Sequence, residues 1–321
     1  MIKAAGGLVA ASALMGAKGV RANQPLRLYD SHCHLISDDT TKYPQKAVDL
    51  AGDKSGQKMP PIPGEYFGHI KVAPTLSNVL QWMHNSNVEA AAAVQKKSTY
   101  GYDNSYTLDA SDVVADKFVA VVVVDAKQDN THDVIRQYAE KHNLAGIRLS
   151  GLQGNKASYD WLQSNNARKC WQVAHELKLT VDVMAVLPEY NEETMERYQE
   201  LASTYNDTKL VLNHLAWPHL SQPNYGVHKA ITQINSLPNV YFKFTTINLN
   251  MLAEANINSA DFMRVACDNL GAHKLLWGSD IGNSAGTYSQ MVQRMLVACE
   301  TLNNKEKHEV LYKTAKQLYH A

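Results

Sequence analysis

A single-domain (β/α)8 barrel is the fold this sequence predicts, on three observations. Eight short β-rich apolar runs alternate along the chain with longer segments of 3.6-residue period. The runs are apolar on both faces, which calls for a parallel sheet covered by helices. Residues 23–321 are also long enough for a barrel of about 250 residues plus insertions. A doubly wound open sheet is the weaker alternative, because no GxGxxG opens a helix after an early strand.

Residues 1–22, MIKAAGGLVAASALMGAKGVRA, contain no acid, carry a weak Ala/Gly/Leu run, and place small residues before a cleavage point. They predict an export signal and a periplasmic location, with the barrel spanning 23–321. The leader looks like the tail of a twin-arginine signal that lacks its arginine pair, as a start codon misassigned downstream of that pair would produce. Its apolar run is too short and Gly-rich for a stable membrane span. Strand one is expected at 26–32 (LRLYDSH), followed by a Pro-, Gly- and Lys-rich insertion at 36–74 that would overhang the barrel mouth. A helix at 75–87 leads to strand two at 88–95, and strand three at 118–125 precedes a helix at 131–143. Strand four at 145–150 is followed by a helix at 167–178, strand five at 179–186 by a helix at 192–205, and strand six by our reading occupies 209–216. Strand seven at 240–246, a helix at 259–271 and strand eight at 274–280 complete the set. Several of these helices start at Thr or Ser as N-caps, and Gly271 suits a C-cap.

Charge and cysteine content narrow the function classes. The chain balances 31 basic against 31 acidic residues, and losing Lys3, Lys18 and Arg21 with the leader leaves 28 basic. A slightly acidic mature chain argues against a nucleic-acid partner and leaves a small molecule as the expected ligand. Cys33, Cys170, Cys267 and Cys299 are scattered, with no CxxC spacing, and are read as buried small hydrophobes.

In a parallel barrel the reactive groups gather at the C-terminal ends of the strands. Polar residues at these ends are His32, His34, Arg148, Ser150, Asp182, His214, Lys243, Thr245 and Asp280. His32 and His34, in YDSHCHLI, are two apart on a strand, so both imidazoles project to one side while Cys33 points away. With His214 from strand six and Asp280 from strand eight they form a candidate site for one divalent metal. Three imidazoles and a carboxylate suit Zn²⁺, which acidifies bound water and polarises a carbonyl. Asp280 would then shuttle the proton. The YGYDNSY stretch offers Tyr100 and Asn104 as further substrate contacts, and His69, Trp217 and His219 lie in loops expected to border the mouth.

The chain resembles the amidohydrolase superfamily, in the branch that holds lactonases and related decarboxylases. The resemblance is carried by DSHCHL (30–35), VQKKSTYGYDNSYTLDA (94–110), LAGIRLS (144–150), LVLNHLAWP (210–218), VYFKFT (240–245), LLWGSD (275–280) and KTAKQLY (313–319). It implies that His32 and His34 are the strand-one pair, that His214 assists water or substrate, and that Asp280 is ligand or general base. It also implies that Arg148 faces a substrate carboxylate or carbonyl, and it places Lys243 in the strand-seven motif, where we count it among the substrate-binding residues. Three departures stand out. Met184 occupies the strand-five position where metal-bound members often carry a histidine, which leaves Asp182 as a replacement ligand. No lysine ends strand four to become a carbamate, and DIGNS replaces the usual tryptophan, proline, histidine after strand eight. Related lactonases work without metal, so the same four residues support a metal-dependent and a metal-free mechanism.

The function expected is therefore a hydrolase that opens a lactone, or a related cyclic ester or amide, of a small polar acid. A non-oxidative decarboxylase of an unsaturated or aromatic acid and a catalytically inactive metabolite-binding barrel are the alternatives. A homo-oligomer is in keeping with barrels of this kind.

Overall fold

Eight strands give this chain its frame: β1 Leu28–Cys33, β2 Val88–Val94, β3 Phe118–Val124, β4 Leu144–Ser150, β5 Thr180–Met184, β6 Leu210–Leu212, β7 Val240–Thr245 and β8 Leu275–Gly278. They come from a computed structural model that describes residues 26–45, 72–150, 162, 164–184, 192–227 and 229–320. The expected leader at 1–22 and most of the insertion after strand one lie outside the described residues. The strands form one parallel sheet in sequence order, β1 to β8. Asp280 N donates to His32 O at 2.8 Å and His34 N to Ile281 O at 3.1 Å, which brings the β8 end back against β1 and makes a nearly closed barrel.

The helices are α1 Leu76–Asn85, α2 Lys97–Tyr100, α3 Ser105–Val113, α4 Thr131–Lys141, α5 Asn165–Glu176, α6 Glu192–Thr204, α7 Lys229–Asn235, α8 Thr246–Glu254, α9 Ser259–Leu270, α10 Tyr288–Ala298, α11 Asn304–His308 and α12 Thr314–Tyr319. Among the described residues no helix is long and apolar enough to cross a membrane. Thr75 and Ser164 cap α1 and α5 by accepting from Asn78 N and Ala167 N. Thr131 does not cap α4, since its hydroxyl donates to Asp125 O, and Asn258 caps α9 in place of Ser259. Gly271 ends α9 at φ 89°, a left-handed value that suits glycine.

Strand alternation sorts the side chains into two cores. Ala91, Ala93, Val122, Ile147 and Leu149 face the helical shell, while Ala90, Ala92, Val119, Val121, Val211 and Leu276 fill the barrel interior with Tyr312, Leu318 and Tyr319 from the C-terminal segment. All four cysteines are buried and unbridged. β1, β3, β6 and β8 are buried along their whole length on both faces, and the run FVAVVVV of β3 is rich in β-branched valine for that reason.

Candidate active site

A register fault in β1 aims the histidines. Asp30 is level with Ala91 of β2 and Cys33 with Ala93, so β1 spends one more residue than β2 between the two rungs. Such a bulge shifts the parity of the strand. Tyr29 faces the interior core and Cys33 the helical shell, and with the shift His32 and His34 both reach the interior. The imidazole centres are 4.9 Å apart. Gly278 of β8 permits this packing, because a Cβ there would collide with the Cβ and backbone nitrogen of His32. Asp30 ties the region down by accepting from His32 N, Ser279 N and Tyr288 Oη at 2.8 to 3.0 Å.

His214 is turned inward by a different device. After only three residues of β6 the backbone enters a left-handed turn, with φ of 52 to 56° at His214, Leu215, Ala216 and Trp217. Each non-glycine residue in this region costs roughly 1–2 kcal/mol, so the turn must be held from outside. Asn248 Nδ2 donates to His214 O at 2.8 Å, and Asn248 Oδ1 accepts from Thr245 N at 3.0 Å. Thr245 Oγ1 pairs with His214 Nδ1 at 2.7 Å, and the Trp217 ring stands edge-on at 5.6 Å.

Asp280, also left-handed at φ 57°, has its two oxygens in opposite conditions. Oδ2 accepts from Asn283 Nδ2 at 2.9 Å and from Ser284 Oγ at 2.7 Å. Oδ1 has no hydrogen-bond donor and lies 3.6 Å from His32 Nε2 and 3.4 Å from His34 Nε2. His34 Nδ1 donates to Val94 O at 2.7 Å, and a carbonyl can only accept, so in the neutral ring Nε2 is a lone pair. A lone pair and a carboxylate oxygen therefore face each other across a gap that a cation or proton would fill.

Burial sets the protonation states. It lowers the imidazole of His34 to about 4 and that of His214 to about 3, and holds His32 well below its ordinary value. Burial pushes the Asp280 carboxyl up, but the nearby His34, His214 and Lys96 outweigh it and keep the group well below the usual carboxylate range. At neutral pH the cluster therefore presents neutral imidazoles and an anion, the state a metal ligand set requires.

Among the described residues, His32, His214 and Asp280 alone bring three candidate ligand atoms within 4.8 Å of one another. His34 stands outside that trio, although its Nε2 reaches the same Asp280 oxygen. Both ring nitrogens of His32 are buried without a hydrogen-bond partner. Orphaned imidazole nitrogens beside a bare carboxylate oxygen fit a divalent metal.

The other residues singled out by sequence fall in two places. Arg148, 5% exposed, lies beside the cluster on β4, where its Nη2 donates to Met184 Sδ at 2.9 Å. Asn213, with its amide turned as its neighbours require, accepts from Arg148 Nε at 3.1 Å and donates to Asp182 Oδ2 at 3.2 Å. Lys243 is fully buried and donates to Asp182 Oδ2 at 2.6 Å, so both members of that pair are committed to each other. Tyr100 Oη accepts from Ser37 N at 2.8 Å, and the Asn104 side chain bonds Tyr102 O, Val123 O and Val123 N at 2.9 to 3.0 Å. These two hold the segment after β1 and the end of β3.

Sequence reasoning missed Lys96, Asn248, Asn283 and Ser284. Lys96 follows β2, is buried, and donates through Nζ to Asn283 Oδ1, the residue whose amide nitrogen holds Asp280. Burial lowers its ammonium to about 8, against the field of Asp280. Its signal was the lysine pair in VQKK, directly behind an apolar strand.

The family model described as Amidohydrolase matches residues 29–321. An L-fucono-1,5-lactonase of Burkholderia ambifaria is 26% identical over 199 residues, 61% of this chain, and the match spans 65% of that relative's own length. A structure from Acinetobacter baumannii, described as a probable 2-pyrone-4,6-dicarboxylic acid hydrolase with citric acid bound, superposes with a TM-score of 0.65 at 16% identity, over 92% of this chain and 99% of that one. An amidohydrolase from Burkholderia multivorans with bound zinc gives 0.63 at 18%, over 91% and 99%. Likeness at these identities shows the barrel fold.

Proposed function

Because this chain belongs to the amidohydrolase family, we propose that it is a hydrolase that opens the lactone of a small polar acid with activated water. One observation carries the reading: Asp280 is an anion with one oxygen pinned by Asn283 and Ser284 and the other bare before the imidazoles. A group so held can take a proton from water without reorienting. The lactonase relative and the hydrolase-like neighbour support the substrate class.

The donor set of His32, His214 and Asp280 fits one divalent cation, Zn²⁺ in our reading, whose chemistry there is polarisation of a carbonyl oxygen and acidification of water. The remaining steps belong to the chain's own residues. Asp280 Oδ1 accepts the proton of the attacking water as the new C–O bond forms. The carbonyl oxygen, now negative, faces the Arg148 guanidinium, so charge develops where a fixed cation already stands. When the ring C–O bond breaks, the proton held on Asp280 passes to the departing alkoxide, giving the open hydroxy acid. Arg148 also suits the substrate's polar or carboxylate group, because a guanidinium offers a planar pair of donors.

Purified protein offered a panel of sugar 1,5-lactones and carboxylated pyrones, followed by acid release in weakly buffered solution, tests the proposal. Ring opening that is lost in Asp280→Asn supports it. Carbon dioxide release from an unsaturated acid without ring opening would replace it with a decarboxylase, and calorimetric binding without turnover would replace it with a ligand-binding barrel.

A further inference from the structure

The C-terminal segment is the part of the molecule that the proposed reaction leaves unused. Tyr312, Ala315, Leu318 and Tyr319 pack inside the barrel against Ala90, Ala92, Val119 and Val211. Two inward positions of β2, Ala90 and Ala92, are alanines, and the C-terminal segment packs against them. Tyr29 Oη bonds His320 Nδ1 at 2.7 Å and fixes the last turn.

From there a chain of buried polar contacts runs to the candidate site. Tyr319 Oη donates to Asp182 Oδ1 at 2.8 Å. Asp182 Oδ2 accepts from Lys243 Nζ at 2.6 Å, and that ammonium lies 5.1 Å from the centre of the Tyr319 ring. The same oxygen takes the amide N–H of Asn213 at 3.2 Å, which leaves the Asn213 carbonyl for Arg148 Nε at 3.1 Å. An amide with its donor fixed has one orientation, and a guanidinium with Nε fixed has one plane.

We infer that Tyr319 is a positioning residue for Arg148, acting through Asp182 and Asn213, and that the C-terminal segment is the floor of the active site. Without the Tyr319 hydroxyl, Asp182 Oδ1 keeps only the Thr180 hydroxyl at 3.5 Å. The carboxylate can then turn, Asn213 loses its single orientation, and the guanidinium plane is released. That Arg148 meets substrate rests on the lactonase reading; the contact chain itself does not.

The experiment uses the full-length protein with Tyr319→Phe, which keeps the ring in its packing, because truncating the segment would open the core. Two readouts are taken. In arginine-labelled protein, the Arg148 Nε–H signal, assigned by its loss in Arg148→Lys, should exchange with solvent about tenfold faster in Tyr319→Phe. On the best lactone, Tyr319→Phe should raise KM about fivefold with kcat within about threefold, and have no further effect in an Arg148→Met background. An unmoved Nε–H signal together with additive kinetics would overturn the inference and leave Tyr319 as core packing. A released Nε–H signal in a protein that hydrolyses no lactone would uphold the positioning and overturn the lactonase reading instead.

Discussion

Asp280→Asn should separate chemistry from stability. The substitution is nearly isosteric, and asparagine tolerates the left-handed φ of 57° at this position better than most residues. Its orientation is dictated: Asn283 Nδ2 and Ser284 Oγ donate to the Oδ2 position, so the amide oxygen must sit there. The amide nitrogen then replaces Oδ1, 3.4 Å from His34 Nε2 and 3.6 Å from His32 Nε2. It donates to a lone pair, a net gain of about 0.5–1.5 kcal/mol. Loss of the anion, which its neighbours favour over the acid despite burial, opposes that gain. Stability in chelator should therefore fall by no more than about 2 kcal/mol, a change of several degrees in Tm. Activity should fall by about 10²–10⁴, because the proton acceptor is gone. Urea unfolding with chelator, metal stoichiometry by elemental mass spectrometry, and initial rates on one lactone together make the assay. Activity within a factor of ten of wild type would refute the assignment of Asp280 as base or ligand. A stability loss above about 2 kcal/mol would show instead that its charge is structural.

Three further outcomes follow from the same geometry. His34 and His214 are held neutral, at about 4 and about 3, so the unfolded chain binds protons below about 6.5 that the folded chain refuses. Stability is therefore complete above that pH and is lost as pH falls toward 4. In chelator, the difference in unfolding free energy between pH 7.5 and pH 5 should shrink by about 2 kcal/mol in His214→Gln, and an unchanged difference would contradict the assignment. Lys96→Met should lower kcat/KM about tenfold and remove a basic limb of the pH–rate profile near pH 8, where the buried ammonium deprotonates; a limb that persists belongs to another group. Asp182→Leu should cost about 3–5 kcal/mol by leaving Lys243 buried and unpaired, while Asp182→Leu with Lys243→Met should recover most of it in urea unfolding.

What the sequence made legible was governed by periodicity. Seven strands fall within about two residues of where the alternation put them, because dry strands read as continuous apolar runs whatever their neighbours do. Strand six is the exception: its run at 209–216 contains a strand of only Leu210–Leu212, followed by the left-handed turn. No propensity predicts four consecutive non-glycine residues there, since the conformation is imposed by Asn248 from a different element. His32 and His34 were legible as a pair, but the bulge that brings them inward depends on pairing with β2 and leaves no local trace. α3 and α8 have little apolar periodicity, so no helical period marks them in the sequence. The Tyr319–Asp182 contact joins residues 137 apart and could be found only by folding the chain.

Two of the buried aspartates, Asp182 and Asp280, show how anchoring divides the carboxylates here. Asp182 has a donor on each oxygen, from Tyr319 on one and Lys243 on the other, and its charge is matched by a fully buried ammonium. It can neither accept a proton cheaply nor reach a ligand without breaking that pair. Asp280 has both of its hydrogen bonds on one oxygen and none on the other. His34 and His214 repeat the pattern, each with Nδ1 engaged by Val94 O or Thr245 Oγ1 and the second nitrogen left over. Anchoring one atom removes rotational freedom and leaves the other unmatched; on the lactonase reading this makes Asp182 the structural carboxylate and Asp280 the chemical one. On that criterion His32, with neither nitrogen engaged, is the residue whose present surroundings satisfy it least and whose side chain has most to gain from a bound cation.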